Sequence, residues 1–378
     1  MAMAVALVVI VVAALLFHFL SPWWITPIAS NWKTMDDTLT ITLVITGIFF
    51  VAINLFVVYM LMRFSHREGR RAHYQPENRR LEVWLIAGTT LGIVLLLAPG
   101  LFVYAEYVRP PPGALELEAI GTQWQWRFRF RGEDGKLGRS DIRFVSAANP
   151  FGLDPDDPDA LGNVLIDSNE VHVPLNKPLK VLLRSHDVLH DFYVPQFRAR
   201  MNMVPGMVTS FWFTPTKPGR YEILCSQLCG VGHYNMRGYI VVEDEAAFQA
   251  WLKSQPTFAA TMQKTSAPGT TGGAGDKVSL GKVLAQAKGC TACHSTDGSP
   301  GVGPTLKGLY GKSETLADGT TAIVDEAYLK DSIVNPTARV VKGYAPIMPK
   351  VELTDGEVAA LVAYIETFGS APPGGVKQ

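Results

Sequence analysis

The sequence predicts a multidomain membrane protein in which N-terminal transmembrane helices lead into an all-β Greek-key sandwich and then into a small all-α module. Three observations predict it. Apolar runs occupy residues 3–21, 39–62 and 83–104, and about 20 such residues suffice to cross a bilayer. From 109 to 254, short alternating stretches are separated by turn residues, the pattern of a sandwich. From 277 to 378, beyond a stretch without any period, helical patterning returns. At 378 residues the chain has room for two or three domains. Lysine plus arginine and aspartate plus glutamate number 34 each, so no charge excess points to a nucleic-acid partner.

The first run, Ala2–Leu20, is broken only by His18, which reads as an interfacial residue. It lacks the basic start and small-residue cleavage site of a secretory signal, so a retained helix is expected. An Arg-rich segment, 63–80, lies between the second and third runs and is cytoplasmic by the positive-inside rule. Everything after Tyr104 then lies outside the cytoplasm. Glu82 opens the third run. An acid there suits the positive end of a helix dipole, and acids at membrane depth also mark proton paths.

The β region follows the stiff Pro110-Pro-Pro-Gly113. Leu115-Glu-Leu-Glu118 alternates, and Gly121-Thr-Gln-Trp124-Gln-Trp126-Arg-Phe-Arg-Phe130 alternates strongly, with Trp126 and Phe128 expected on a buried face. Residues 164–167, 171–173, 179–184, 209–214, 221–224 and 239–242 supply further strands. His172 and His186 read as surface or strand residues, and the Pro/Asp-rich stretch 148–159 as a solvated loop. Residues 255–276, rich in Pro, Ala, Thr, Ser and Gly, read as a flexible linker. About 20 residues of that kind span roughly 25 Å, which would hold the next module near without fixing it.

The chemistry is concentrated in Cys225-Ser-Gln-Leu-Cys229-Gly-Val-Gly-His233-Tyr-Asn-Met236. Thiolates, imidazole and thioether suit copper or zinc rather than magnesium or calcium. A mononuclear blue-copper site needs one cysteine; two cysteines four apart let both sulfurs enter one loop and bridge two metal ions. A second imidazole must then come from elsewhere, and His190 in Ser185-His-Asp-Val-Leu-His190 is best placed. A disulfide between Cys225 and Cys229 and a closed structural zinc site are the alternatives.

A second centre follows the linker. Cys290-Thr-Ala-Cys293-His294 is the attachment pattern of c-type haem, with both thiols bound to the haem vinyls and the histidine on the iron. Beyond the linker there is no other histidine and a single methionine, Met348, within Ala345-Pro-Ile-Met348-Pro349. Met348 is thus the expected second axial ligand, a pairing that raises the reduction potential. Two one-electron centres without an acid–base constellation point to an electron relay.

On these residues the chain resembles known families. Cys-x-x-x-Cys-x-x-x-His-x-x-Met with an upstream Asp-Val-Leu-His resembles subunit II of the haem–copper cytochrome c oxidases, whose domain is a cupredoxin-like sandwich. Residues 279–369 resemble a class I cytochrome c. Together they resemble the fused subunit II of caa-type oxidases. The resemblance implies a dinuclear copper centre (CuA) in which Cys225 and Cys229 bridge the coppers and His190 and His233 each bind one. Met236 then caps one copper and the backbone carbonyl of Gln227 the other. It implies that electrons enter at Trp124, that Glu82 serves the mouth of a proton channel, and that electrons pass from an external donor through haem c and CuA to haem a of subunit I. The donor would be a cytochrome c or an upstream respiratory complex, and oxygen is reduced to water in subunit I with proton pumping. A nitric oxide reductase subunit and a free membrane-anchored carrier are the alternatives.

Overall fold

The computed structural model describes residues 2–21, 26–65, 68–69, 76–146, 149–266 and 274–369. Residues 66–67 and 70–75 of the Arg-rich segment, 147–148 of the Pro/Asp-rich loop and 267–273 of the expected linker lie outside them. Among the described residues, three helices are long and apolar enough to cross a membrane: α1 (Ala2–Leu20), α2 (Lys33–Arg63) and α3 (Arg79–Tyr107). α2 and α3 extend past the apolar runs into polar residues. At the start of α3, Asn78 accepts the Leu81 amide, capping the helix.

The anchor is tied to the next domain by specific bonds. Arg198 pairs with Asp36 at 2.7 Å, the Trp32 indole donates to the Trp212 carbonyl at 2.8 Å, and the Trp212 indole donates to the Glu106 carbonyl at 2.7 Å. The Tyr107 hydroxyl accepts from the Arg200 amide and donates to its carbonyl. These bonds fix the sandwich to the outer ends of α2 and α3.

The sandwich begins with β1 (Leu115–Thr122) and β2 (Gln125–Phe130), then a short helix α4 (Pro158–Leu161). It continues through β3 (Val164–Ile166), β4 (Glu170–Pro174), β5 (Leu179–Ser185), β6 (His190–Val194), β7 (Ala199–Met203), β8 (Thr209–Phe213), β9 (Gly219–Cys225) and β10 (Arg237–Glu243). One sheet runs β3-β2-β1-β5-β8 and the other β4-β10-β9-β6-β7. Their inner faces share one core that includes Leu117, Phe128, Val181, Phe211, Phe192 and Ile240. β6 and β7 were missed in the sequence: β6 opens on the two polar residues His190-Asp191 and does not alternate, whereas Ala199-Arg-Met-Asn-Met203 does alternate and was a usable signal. The stretch expected to alternate from Gly121 to Phe130 instead turns at Gln123-Trp124, so β1 pairs back on β2 with Thr122 opposite Gln125. Trp124 therefore sits at a hairpin tip, while Trp126 and Phe128 face the core as expected.

All of β2 is buried, including Arg127 and Arg129 on its outer face. Glu118 accepts bonds from Arg129 and, at 2.6 Å, from Arg184. Burial alone would raise this carboxyl, but the two guanidiniums hold it below the ordinary carboxylate range. The cover over this face comes from stretches that the sequence assigned to solvated loop and linker. After α5 (Glu245–Ser254), Pro256 accepts the Leu165 amide and Phe258 donates to Asn163, pinning the chain along β3. Phe258 opens α6 (Phe258–Ser266) and is buried with Ile120, Phe151, Leu153 and Leu165. The expected linker is thus ordered and helical in its first part, since one aromatic ring finds a closed apolar site. Likewise Phe151 and Leu153 anchor the Pro/Asp-rich loop, and Asp157 caps α4.

The last module contains α7 (Ala274–Ala287), α8 (Cys290–Cys293), the hairpin β11 (Ser313–Thr315) and β12 (Thr321–Ile323), α9 (Glu326–Val334) and α10 (Asp355–Glu366). α7 and α10 cross where Gly281 meets Ala360; a Cβ on Gly281 would lie 1.9 Å from the Ala360 carbonyl oxygen. Thr354 and Glu357 form a capping box at the start of α10.

Replacing Glu118 by Gln leaves Arg129 buried without a countercharge and should cost about 3 kcal/mol. Lys136→Ala, which breaks an exposed pair with Asp159, should change stability by less than about 0.5 kcal/mol. The folded-state carboxyl is depressed, so the Glu118 contribution is present above about pH 4.3 and is lost as pH falls through its lower folded value. Denaturant unfolding followed by tryptophan fluorescence at neutral and acid pH checks both.

Candidate functional site

The copper-type motif lies between β9 and β10, which are antiparallel neighbours, so the intervening loop returns on itself at one end of the sandwich. β6, also paired to β9, brings His190 to the same end. There the Cys225 and Cys229 sulfurs lie 3.7 Å apart, unbonded and buried. His190 Nδ1 is 4.0 Å from the Cys225 sulfur, and His233 Nδ1 is 3.5 Å from the Cys229 sulfur. The Gln227 carbonyl oxygen is 3.2 Å from the Cys225 sulfur. Met236 is fully buried, and its carbonyl accepts the Cys225 amide. His190, Cys225 and Cys229 present ligand atoms within 4.8 Å of one another.

The electrostatics match a cation site. The hydrogen bond from Cys229 holds the Cys225 thiol down at about 3, against burial. That same bond, reinforced by burial, pushes the Cys229 thiol far up. The pair therefore loses one proton readily and resists losing the second, because two thiolates this close repel unless a cation lies between them. Burial opposes a charge on His190, yet Asp187, 2.8 Å from Nε2, and Cys225 together hold its pKa up at about 8. Asp187 also fixes the ring so that Nδ1 faces the sulfurs, the orienting role that carboxylates take behind ligating histidines. Asp187 was missed in the sequence, although its place three residues before His190 was a usable signal.

Trp124 packs on this loop. Its indole nitrogen donates to the Cys229 carbonyl at 3.2 Å, and the Gln123 side chain donates to the same oxygen at 2.8 Å. A Cβ on Gly232 would lie 2.3 Å from the Trp124 ring. Glu82, by contrast, is exposed in the first turn of α3 and is not brought to this cluster. His172 lies on β4, stacked against Trp251 and bonded to Glu243, and serves the sandwich.

The haem-type motif occupies α8. Cys290, Cys293 and His294 line a mostly apolar cavity that Met348, Leu306 and Leu361 also line. His294 Nδ1 donates to the Pro304 carbonyl at 2.7 Å, which leaves Nε2 as the nitrogen with a free lone pair. Burial lowers the pKa of His294, favouring that neutral form. A Cβ on Gly303 would lie 2.5 Å from the ring, so glycine there lets the imidazole settle against the backbone. An apolar cavity with two thiols and a neutral imidazole on its wall fits a haem.

The family model described as cytochrome c oxidase subunit II, periplasmic domain, matches residues 115–244. That described as cytochrome c matches 278–369. The alternative cytochrome c oxidase subunit 2 of Bradyrhizobium diazoefficiens is 52% identical over 259 residues, covering 68% of this chain and 94% of that protein. The chain belongs to the cytochrome c oxidase subunit II family. The cytochrome c oxidase subunit 2 of Thermostichus vulcanus is 24% identical, over 60% of this chain and 76% of its own length. Among solved structures, the periplasmic domain of subunit II from Bradyrhizobium japonicum is 28% identical, covering 39% of this chain and 96% of that one with a TM-score of 0.29. This subunit II carries a cytochrome c domain fused behind the copper-type domain. It is the electron-accepting subunit of a respiratory haem–copper cytochrome c oxidase and works with other oxidase subunits. The nitric oxide reductase and free-carrier readings find no support in these matches.

Gly232 has an ordinary backbone conformation, so Gly232→Ala tests packing alone. The added methyl should displace Trp124 and cost about 1–3 kcal/mol, with a shift in tryptophan emission. Gly356→Ala, where nothing lies within 4 Å, should leave both unchanged.

Proposed function

We propose that this subunit II holds a dinuclear copper centre and one covalently attached haem c, and passes electrons from an external donor through the second to the first. Cys225 and Cys229 would supply the shared thiolates of that centre, His190 and His233 an imidazole each, and Met236 and the Gln227 carbonyl the remaining donors. Cys290 and Cys293 would hold the haem through their sulfurs, and His294 Nε2 and Met348 would supply the donors to its iron. When bound, both groups would supply one-electron couples, and the residues around them would have no bond to make or break.

The observation that carries this order is a shared wall. Trp124 lines the haem-type cavity and also donates to the Cys229 carbonyl of the copper loop. The same side chain thus touches both sites, which supports Trp124 as the point where electrons enter the copper domain. The protein's own residues do the positioning. Asp187 and Pro304 orient the two imidazoles, and the apolar cavity excludes water. In this reading the chain lies in a bacterial cytoplasmic membrane with both redox domains on the outer face. There the copper domain delivers electrons to haem a of subunit I, and Glu82, at the cytoplasmic end of α3, faces a proton path in that partner. The donor is a cytochrome c or an upstream respiratory complex.

Cys225→Ser or Cys229→Ser should abolish the mixed-valence copper signal in electron-spin spectra of the purified oxidase. Stoichiometric zinc in the wild-type protein, or two coppers retained with an unchanged spectrum in either variant, would sink the assignment. Met348→Ala should keep its haem through denaturing gels and show a lowered haem potential. An unaltered potential with the sulfur-to-iron absorption band intact would mean that another group ligates the iron.

A further inference from the structure

The two redox domains meet through the very segments that carry their ligands. Gly289, directly before Cys290, lies against the hairpin tip of the copper domain: a Cβ there would sit 2.4 Å from the Gln123 carbonyl oxygen and 3.3 Å from the Trp124 amide nitrogen. From the other side, the Asn235 side-chain amide, in the turn between His233 and Met236, donates to the Ala292 carbonyl inside the Cys-x-x-Cys loop. Ala292 and Cys293 pack against the sandwich core. Val231 joins Trp124 in lining the haem-type cavity.

The receiving surface is itself braced. The Gln123 amide donates to Asp187 at 2.6 Å, and its side chain donates to the Cys229 carbonyl at 2.8 Å. The docking tip is therefore bonded to the group that orients His190 and to the backbone of a copper-loop cysteine. Gly289 has φ +71°, a conformation that costs a residue with a side chain additional energy. Glycine is thus required twice, for the turn and for the close approach.

We propose that Gly289 and Asn235 are positioning residues that latch the cytochrome c domain onto the copper loop in one orientation, making the docked state the resting state. A tether alone would leave the domain visiting that surface by diffusion. The latch holds the haem-type cavity closed on one side by Trp124 and Val231, and leaves the rest of the rim for the external donor. This inference rests on the copper and haem assignments of the preceding section.

Pulsed electron-spin measurements on the frozen, fully oxidised wild-type oxidase should give one narrow distance between copper centre and haem. A broad spread of distances overturns the latch. Absence of either paramagnetic signal indicts the site assignment instead. In Gly289→Ala and, independently, Asn235→Leu, the distance should broaden. One-electron transfer from reduced haem to oxidised copper should slow by about tenfold or more, as expected when reacting groups lose alignment. Copper and haem spectra and potentials should stay at wild-type values. Asn235→Gln, which keeps the amide donor, should recover part of the rate. Should Gly289→Ala fail to retain haem, Asn235→Leu decides alone, because Asn235 lies on the other domain and is assigned no ligand role. A wild-type transfer rate in Asn235→Leu with intact spectra overturns the proposal.

Discussion

Two buried sulfurs 3.7 Å apart set the conditions for the rest of this structure. Each thiolate would be stabilised by a cation and destabilised by the other, so the loop from Cys225 to Met236 is poised to hold positive charge between its sulfurs. Meeting that condition needs three strands from one sheet. β9 and β10 bring the ends of the loop together, and β6 delivers His190 from 35 positions earlier. Behind His190 stands Asp187, and behind Asp187 the amide of Gln123. The chain of contacts leads from the cluster of thiols and imidazole to the tip of the β1–β2 hairpin, where Trp124 lies.

The sandwich that carries this loop is held rigidly to its membrane anchor. Arg198 and Asp36 pair across the junction, and two indoles and a phenol use backbone carbonyls on both sides of it. Such bonds are worth roughly 1 kcal/mol each in isolation, but together they fix an orientation. Fixing it matters because a set orientation presents the same face of the sandwich to the other oxidase subunits in every copy. α2 has no buried residue and α3 buries only Tyr107. Their apolar surfaces therefore remain available to lipid and to the other oxidase subunits.

The cytochrome c domain shows how a short contact can do more than a long connection. The contact between the two domains is made by Gly289 against Gln123 and by Ala292 with Asn235. The apparent linker is shorter than its composition implies, because 256–258 pair along β3 and Phe258 is buried. A composition rich in small and polar residues measures average solvation. It does not register one aromatic ring that a distant apolar site accepts.

The sequence by itself determined the chemistry and the order of the modules. Residue types and their spacing are local properties, so the thiol, imidazole and thioether side chains of Cys225, Cys229, His233 and Met236 and the Cys-x-x-Cys-His run could be picked out directly, and so could the three apolar spans. His190 was legible only because thiolate and imidazole donors leave a second imidazole to be found. Tertiary structure decided what depends on residues far apart in the chain meeting. It made Trp124 a hairpin tip rather than a strand residue, set Asp187 behind His190, buried Arg129 against Glu118, the Gly138 carbonyl and Asn163, and placed Gly289 against Gln123. These outcomes are set by packing and by the pairing of buried charges, whose energies depend on neighbours that no local pattern contains.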